Sequence, residues 1–290
     1  AIADYSRFAL RSLRLWREFA GSLGDGQPPI FHRCGVLWLA AGNDPYSDAT
    51  RHTLEQGGYA LQVLDRDALG ARYPHLNADG ISVALLEPDC GVLMARRAVA
   101  TLAARLGKDE VVILKGHVPG VPEGGGPLRS IRLADGMELR ADTFVFACGA
   151  WLPKMFPELL GGRIRPTRQV VMYFGPPAGD DRFGPGHTPA WVDFPAEIYG
   201  GPDLEGRGLR VGIDRHGPEF DPDTGDRVVD AESVATAREW LSRRFPAMAG
   251  APLVESRVCQ YENTSTGDFL IDRHPDRENV WIVGGGSGHG

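Results

Sequence analysis

Lysine is nearly absent: only Lys108, Lys115 and Lys154 carry it, and every other basic position is arginine. Acidic residues outnumber basic ones by 38 to 31, a formal net charge of −7, so a nucleic-acid partner has no electrostatic support. Cysteine is also scarce. Cys34, Cys90, Cys148 and Cys259 lie far apart and form no Cys-x-x-Cys, which argues against a zinc ribbon or a vicinal redox pair. No apolar run approaches the roughly 20 residues of a membrane-spanning helix. No two histidines have His-x-His or His-x-x-x-His spacing, so a metal site drawn from His187, Asp193, Asp214, His216 and His274 has little support. Nothing reads as a signal peptide, and isolated thiols suit a reducing compartment, so a cytoplasmic location is expected. The chain opens on Ala1, just before a helical pattern, and closes inside a loop, as a piece of a longer protein would.

What is present is ordinary in bulk and uneven along the chain. At 290 residues, 42% hydrophobic and 24% charged, it supports a large core and one or two domains. Residues 4–20 predict an amphipathic helix with Phe8, Ser12, Leu15, Trp16 and Phe19 on one face. Residues 95–106 predict another, with Val99, Leu102, Ala103 and Leu106 inward and Gly107 as its stop. Val111-Val-Ile-Leu114 reads as a strand, and 128–139 as a hairpin around Asp135-Gly136. Thr143 to Cys148 is a continuous apolar run, expected of a strand buried on both faces.

From Gln169 the texture changes. Strands at Trp191, Glu197 and Leu209, separated by Pro/Gly turns, predict an antiparallel sheet. Asp230 is placed to cap a helix over 231–245. The expected fold is therefore α/β plus antiparallel β, in two discontinuous domains. One comprises 1–29, 89–163 and 258–290, a Rossmann-like arrangement; the other comprises 30–88 and 164–257.

The most informative stretch is the last. Val280-Trp-Ile-Val283 reads as a buried strand that stops at Gly284, Gly285 and Gly286, where bare backbone approaches something closely. Ser287, Gly288, His289 and Gly290 follow. A helix starting after such a loop would turn its free N–H groups toward an anion or an electron-rich ring. Ser287 lacks the spacing of a nucleophile elbow. Upstream, Cys259 and Tyr261 are two apart, so on a strand they share a face.

An ordered set of motifs carries a resemblance. It comprises Cys148-Gly-Ala-Trp151, Arg168-Gln-Val-Val171, Gly208-Leu-Arg-Val-Gly212, Val258-Cys-Gln-Tyr261, Phe269-Leu-Ile-Asp-Arg-His-Pro275 and Gly285-Gly-Ser-Gly-His-Gly290. The chain resembles the FAD-dependent D-amino-acid oxidase class, in its monomeric sarcosine oxidase and pipecolate oxidase branch.

The resemblance implies FAD, with Cys259 in a thioether to the flavin 8α-methyl and Val118 facing the adenine. It places Cys148, Gly149, Ala150, Trp151 and residues 284–290 beside the isoalloxazine, and Tyr261 and Tyr199 at the substrate. It implies a small amine or amino-acid substrate, and oxygen or another electron acceptor. Arg210 stands where the family carries a lysine that promotes reaction with oxygen. Asp214 stands where sarcosine-specific members carry histidine. Arginine is planar and forked, so the lysine's water geometry need not survive the change.

A pyridine-nucleotide dehydrogenase, or a non-catalytic binding module of this fold, remains open on the residues alone. The glycine-rich pyrophosphate grip at a first strand–turn–helix does not occur in this sequence. A polypeptide limited to these residues is expected to bind FAD weakly or not at all, and to be inactive alone.

Overall fold

Alternation of large apolar with small or polar residues builds the principal feature, an eight-stranded mixed sheet. The computed structural model describes residues 2–24, 26–42, 44–107, 111–122 and 124–288. Helix α1 (Ile2–Gly21) leads to strands β1 (Phe31–His32) and β2 (Val36–Ala40), then α2 (Pro45–Gln56), β3 (Gln62–Asp65) and α3 (Arg66–Arg72). Strands β4 (Val83–Glu87) and β5 (Val92–Leu93) precede α4 (Ala95–Leu106). A hairpin of β6 (Ser130–Arg132) and β7 (Glu138–Arg140) precedes β8 (Phe144–Phe146) and the short helices α5 (Leu152–Met155) and α6 (Pro157–Leu160). Then come β9 (Ile164–Phe174), β10 (Ala190–Asp193), β11 (Ile198–Gly201), β12 (Leu209–Ile213) and α7 (Ala231–Arg244). The chain ends with β13 (Leu253–Thr264), β14 (Leu270–Arg273) and β15 (Val280–Gly284).

By its contacts the chain forms two units. The first is Ala1–Val111, Val170–Arg215 and Val229–Arg257; the second is Val112–Gln169, His216–Val228 and Val258–Gly290. Helix α1 packs on α2 and β1, and Arg97 of α4 pairs with Glu205, so both helices make these contacts within the first unit.

The large sheet runs β13-β9-β12-β11-β10-β2-β4-β3. Its middle strands β10, β11, β12 and β9 are antiparallel neighbours, as expected, whereas β10 and β2 pair in parallel. One face buries Leu37, Leu39, Trp191, Met172, Phe174, Leu209 and Val211. Helix α7 begins where Asp230 accepts the Ser233 N–H at 2.7 Å. Its Trp240 stacks on Trp191, with ring centroids 5.9 Å apart. Asp193, fully buried, accepts from Trp240 Nε1 at 2.8 Å and from Arg244 Nη2 at 3.0 Å. Asp193 is thereby held by an indole and a guanidinium.

The second unit has its own core of Leu128, Phe144, Phe146, Leu152, Phe156, Leu160, Ile164, Val280 and Ile282. There β15 lies between antiparallel β14 and parallel β8. The 128–139 turn forms as expected, with Gly136 at φ 90° and Asp135 accepting from the Met137 N–H.

Four expectations are corrected. In α1, Leu10, Leu13, Trp16 and Phe19 are half-buried while Phe8, Ser12 and Leu15 are exposed; at about 100° per residue, Phe8 and Leu15 lie well round the helix from Leu13. In α4, Ala98 is buried, with Leu102 and Ala103 half-buried, while Val99 and Leu106 sit on the exposed margin. Val111 to Leu114 is exposed and forms no strand; β-propensity without a pairing edge does not make one. Strand β8 is not buried on both faces. Phe144 and Phe146 enter the core, and Val145, 61% exposed, points away from it.

Candidate functional site

Three of the singled-out motifs converge in the second unit. Strand β8 runs into Cys148, and the chain then turns sharply through Gly149, whose φ is 56°. A side chain at Gly149 would meet nothing within 4 Å, so the turn borders open space. Ala150 is buried beneath it, while Trp151 is 39% exposed. The Trp151 indole N–H donates to Asp223 at 2.7 Å, and Lys154 bridges Asp223 to Asp221, with 2.8 Å to each Asp221 oxygen. These links stitch residues 221–223 to the turn.

Strand β13 supplies the second wall. Cys259 and Tyr261 are half-buried and share a face, as their spacing requires. His216 meets the Tyr261 ring edge-on, with centroids 6.3 Å apart. Asn263, farther along, donates to Thr167 Oγ1 at 2.7 Å.

The glycine loop after β15 closes onto this strand. A methyl group at Gly284 would fall 2.3 Å from Leu152 Cδ1 and 2.9 Å from Glu262 Oε2. One at Gly285 (φ 72°) would meet Thr264 Cγ2 at 2.6 Å, and one at Gly288 (φ 81°) would enter the Tyr261 ring. Ser287, buried and itself at φ 44°, donates to the Glu262 carbonyl at 3.3 Å. The Gly286 N–H donates to Glu262 Oε1, also at 3.3 Å. Glycine is thus required here for close approach and left-handed backbone together. Val118 lies on a different, irregular piece of backbone, beside which the Ala134 N–H donates to the His117 carbonyl. His289 and Gly290 lie outside the described residues.

Glu262 was not legible as a site residue. Burial pushes its carboxyl above the usual range, against the opposing pull of the Gly286 and Gly285 N–H groups. Burial, and then the nearby Glu262 charge, push the Cys148 thiol up. The only sequence signal was the run of glycines opposite, small residues where a bulky neighbour must fit.

In the first unit, Tyr199 on β11 pairs with Gly212 on β12, and its ring lies across that glycine, 2.5 Å from where a Cβ would sit. Arg210 pairs with Gly201 on one side and Tyr173 on the other. Its guanidinium carbon is 5.2 Å from the Tyr199 ring centroid, and its buried Nε has no hydrogen-bond partner. Asp214 lies past the end of β12, exposed, with its N–H donating to the Glu197 carbonyl at 2.8 Å. Val192 pairs with Tyr199 and with Trp38, so the three side chains share a sheet face. Trp38 stacks on Phe194 at 5.4 Å and donates to Glu87 at 2.7 Å. Cys90 lies beside Glu87; burial and that carboxylate push its thiol up to about 12.

The family model for FAD dependent oxidoreductases (DAO) matches residues 2–290. The chain belongs to this family. Monomeric sarcosine oxidase of Bacillus sp. (strain B-0618) is 31% identical over 298 residues, which cover 99% of this chain and 74% of that protein. N-methyl-L-tryptophan oxidase of Escherichia coli O139:H28 is 27% identical, over 99% of this chain and 75% of its own length. Among solved structures, L-proline dehydrogenase from P. horikoshii superposes with a TM-score of 0.81 at 18% identity, over 97% of this chain and 73% of that one; it shares the fold. The protein is accordingly an FAD-dependent oxidoreductase, and the expected α/β plus antiparallel β architecture is that of its family. The second unit fits such a cofactor: open space beside Gly149, a half-exposed indole, and a loop of bare backbone gripped by strand β13.

Proposed function

We propose that this FAD-dependent oxidoreductase oxidises the carbon–nitrogen bond of an amino acid, or of an N-methyl or cyclic amino acid, to an imine that water then hydrolyses. The observation that carries the reading is the convergence of Gly149, Tyr261 and the 284–288 loop in a family whose curated relatives include oxidases of sarcosine and N-methyl-L-tryptophan. Bound FAD would supply the acceptor for a hydride equivalent leaving the carbon next to nitrogen.

The chain's own residues bind and orient. In this proposal the second unit holds the cofactor through the backbone of Cys148 to Trp151 and of Gly284 to Gly290, with Val118 toward the adenine. Cys259 would anchor it covalently through sulfur. Tyr261 on β13 would meet the substrate, and we assign Tyr199 on β11 to substrate binding as well. Tyrosine suits the task, since its hydroxyl donates to a carboxylate while its ring excludes water. A dry surround also favours the neutral amine, the form that gives up hydride.

Arg210 and Asp214 would set the acceptor and the substrate respectively. Arg210 keeps one positive charge near the reaction, and its half-buried fork favours an acceptor other than oxygen over the family's oxygen chemistry. We place the reaction in the cytoplasm; no helix among the described residues is long and apolar enough to cross a membrane.

The test is a substrate panel on the full-length protein without oxygen. Sarcosine, pipecolate, proline and N-methyl-L-tryptophan are each added while the flavin band is followed. Bleaching by at least one amino acid, and none by its 2-hydroxy analogue, is expected. Bleaching by the hydroxy acids alone would overturn the amine assignment.

A further inference from the structure

Glu262 is a half-buried titratable group of the second unit that the proposed reaction does not use. One oxygen, Oε1, accepts the Gly286 N–H; the other, Oε2, is enclosed and has no hydrogen-bond partner. Among the described residues no lysine, arginine or histidine pairs with it. Leu152 and Oε2 fill the space that a side chain at Gly284 would need. The Glu262 carbonyl takes the Ser287 hydroxyl. A single residue of β13 therefore holds the loop at three points: 284 by contact, and 286 and 287 by hydrogen bonds.

An apolar residue would fill that space without a desolvation cost, so a carboxyl group here calls for another reason. As a neutral acid it fits: one oxygen accepts the amide N–H while the other carries a proton and no charge. As a carboxylate it sets an unpaired charge against Leu152 and bare backbone. Because Oε2 is enclosed, it cannot touch a ligand and acts only through the loop.

We propose that Glu262 is a positioning residue for the flavin loop: protonated, it latches residues 284–288 onto strand β13, and ionised, it loosens them. The inference rests on the cofactor reading given above. Among the described residues, the loop brings no titratable side chain to Glu262. On β13 its neighbour Tyr261 lies on the other face. The 148–152 turn brings the Cys148 thiol, itself pushed up by burial and by Glu262, so it stays protonated while Glu262 titrates. Burial holds the Glu262 proton in the folded chain above the pH at which the unfolded chain loses it. Stability conferred by the latch is thus complete at acid pH and falls as pH rises through the raised value.

The experiment compares the full-length wild type with Glu262→Gln, the isostere of the neutral acid, from about pH 5 to about pH 8. Two quantities are read: the thermal midpoint without added cofactor, and the FAD dissociation constant at equilibrium, measured on protein whose Cys259 is alanine in both arms. The wild-type midpoint should fall relative to the glutamine variant as pH rises. Its FAD dissociation constant should climb by at most about tenfold per pH unit, the limit for one proton, while the variant stays flat. Curves that run parallel in both measurements overturn the proposal, and Glu262 is then packing alone. Melting curves that diverge while neither protein binds FAD support the latch and overturn the cofactor reading instead. Glu262→Ala, which removes the Gly286 acceptor, should weaken binding at every pH.

Discussion

The ring of Tyr261 occupies the space that a side chain at Gly288 would need, with its Cζ only 2.4 Å from the position of a Cβ there. Two motifs 27 residues apart in sequence are therefore one packed object. The tyrosine fixes the height of the loop, and the glycine lets the loop come down onto it. In the proposed reading, a planar cofactor would lie against the wall that this packing shapes.

Gly288→Ala should break this wall. Alanine at φ 81° costs about 1–3 kcal/mol in backbone strain alone, and its methyl group also displaces the Tyr261 ring. Reduced flavin content per chain is expected, with far-ultraviolet circular dichroism unchanged. Combining Gly288→Ala with Tyr261→Ala should restore part of the flavin content. Full occupancy in the single variant would show that the loop does not bear on the cofactor.

Arg210→Lys addresses the choice of acceptor. The arginine lies over Tyr199 with its Nε unpartnered, where the resembled family carries lysine. Lysine is a compact point charge that can hold a water where the arginine fork cannot. Reoxidation of the reduced enzyme by oxygen should quicken by about tenfold, equivalent to ~1.4 kcal/mol of barrier. Stopped-flow mixing with aerated buffer reads this directly. A rate equal to that of the parent would remove Arg210 from the oxygen step.

The Asp193–Arg244 pair should govern stability and leave chemistry alone. Both residues are buried, and the aspartate also takes the Trp240 indole proton. Arg244→Met strands a buried carboxylate at a cost of about 3–5 kcal/mol, whereas replacing both partners with apolar residues should cost much less. Urea unfolding, with the midpoint and slope fitted separately, is the check. Equal losses in the single and double variants would mean that the pair is not energetically coupled.

The sequence exposed some layers of this protein and hid others for physical reasons. Pro/Gly turns delimited β10, β11 and β12, and the Asp230 cap marked the start of α7, because those signals are local. Phe8, Leu15, Val99 and Leu106 were misassigned because a helix's apolar residues do not reveal which side meets a partner. Val111 to Leu114 has strand composition but no strand, since a strand exists only by pairing. The glycine loop and the Cys259–Tyr261 face were readable from spacing. Glu262 was hidden because its role depends on what lies across from it. The stitching of Trp151 and Lys154 to Asp223 joins positions 72 and 69 apart, beyond any local pattern.

The most direct test of the account is the fate of the chromophore when the full-length protein is denatured in acid. A yellow native protein is expected, whose colour precipitates with the polypeptide, together with a Cys259→Ala variant that is yellow when folded but leaves its flavin in the supernatant. Flavin released from the wild type would contradict the thioether at Cys259 while sparing the site. A full-length protein that is colourless, and stays so with added FAD, would contradict the account as a whole.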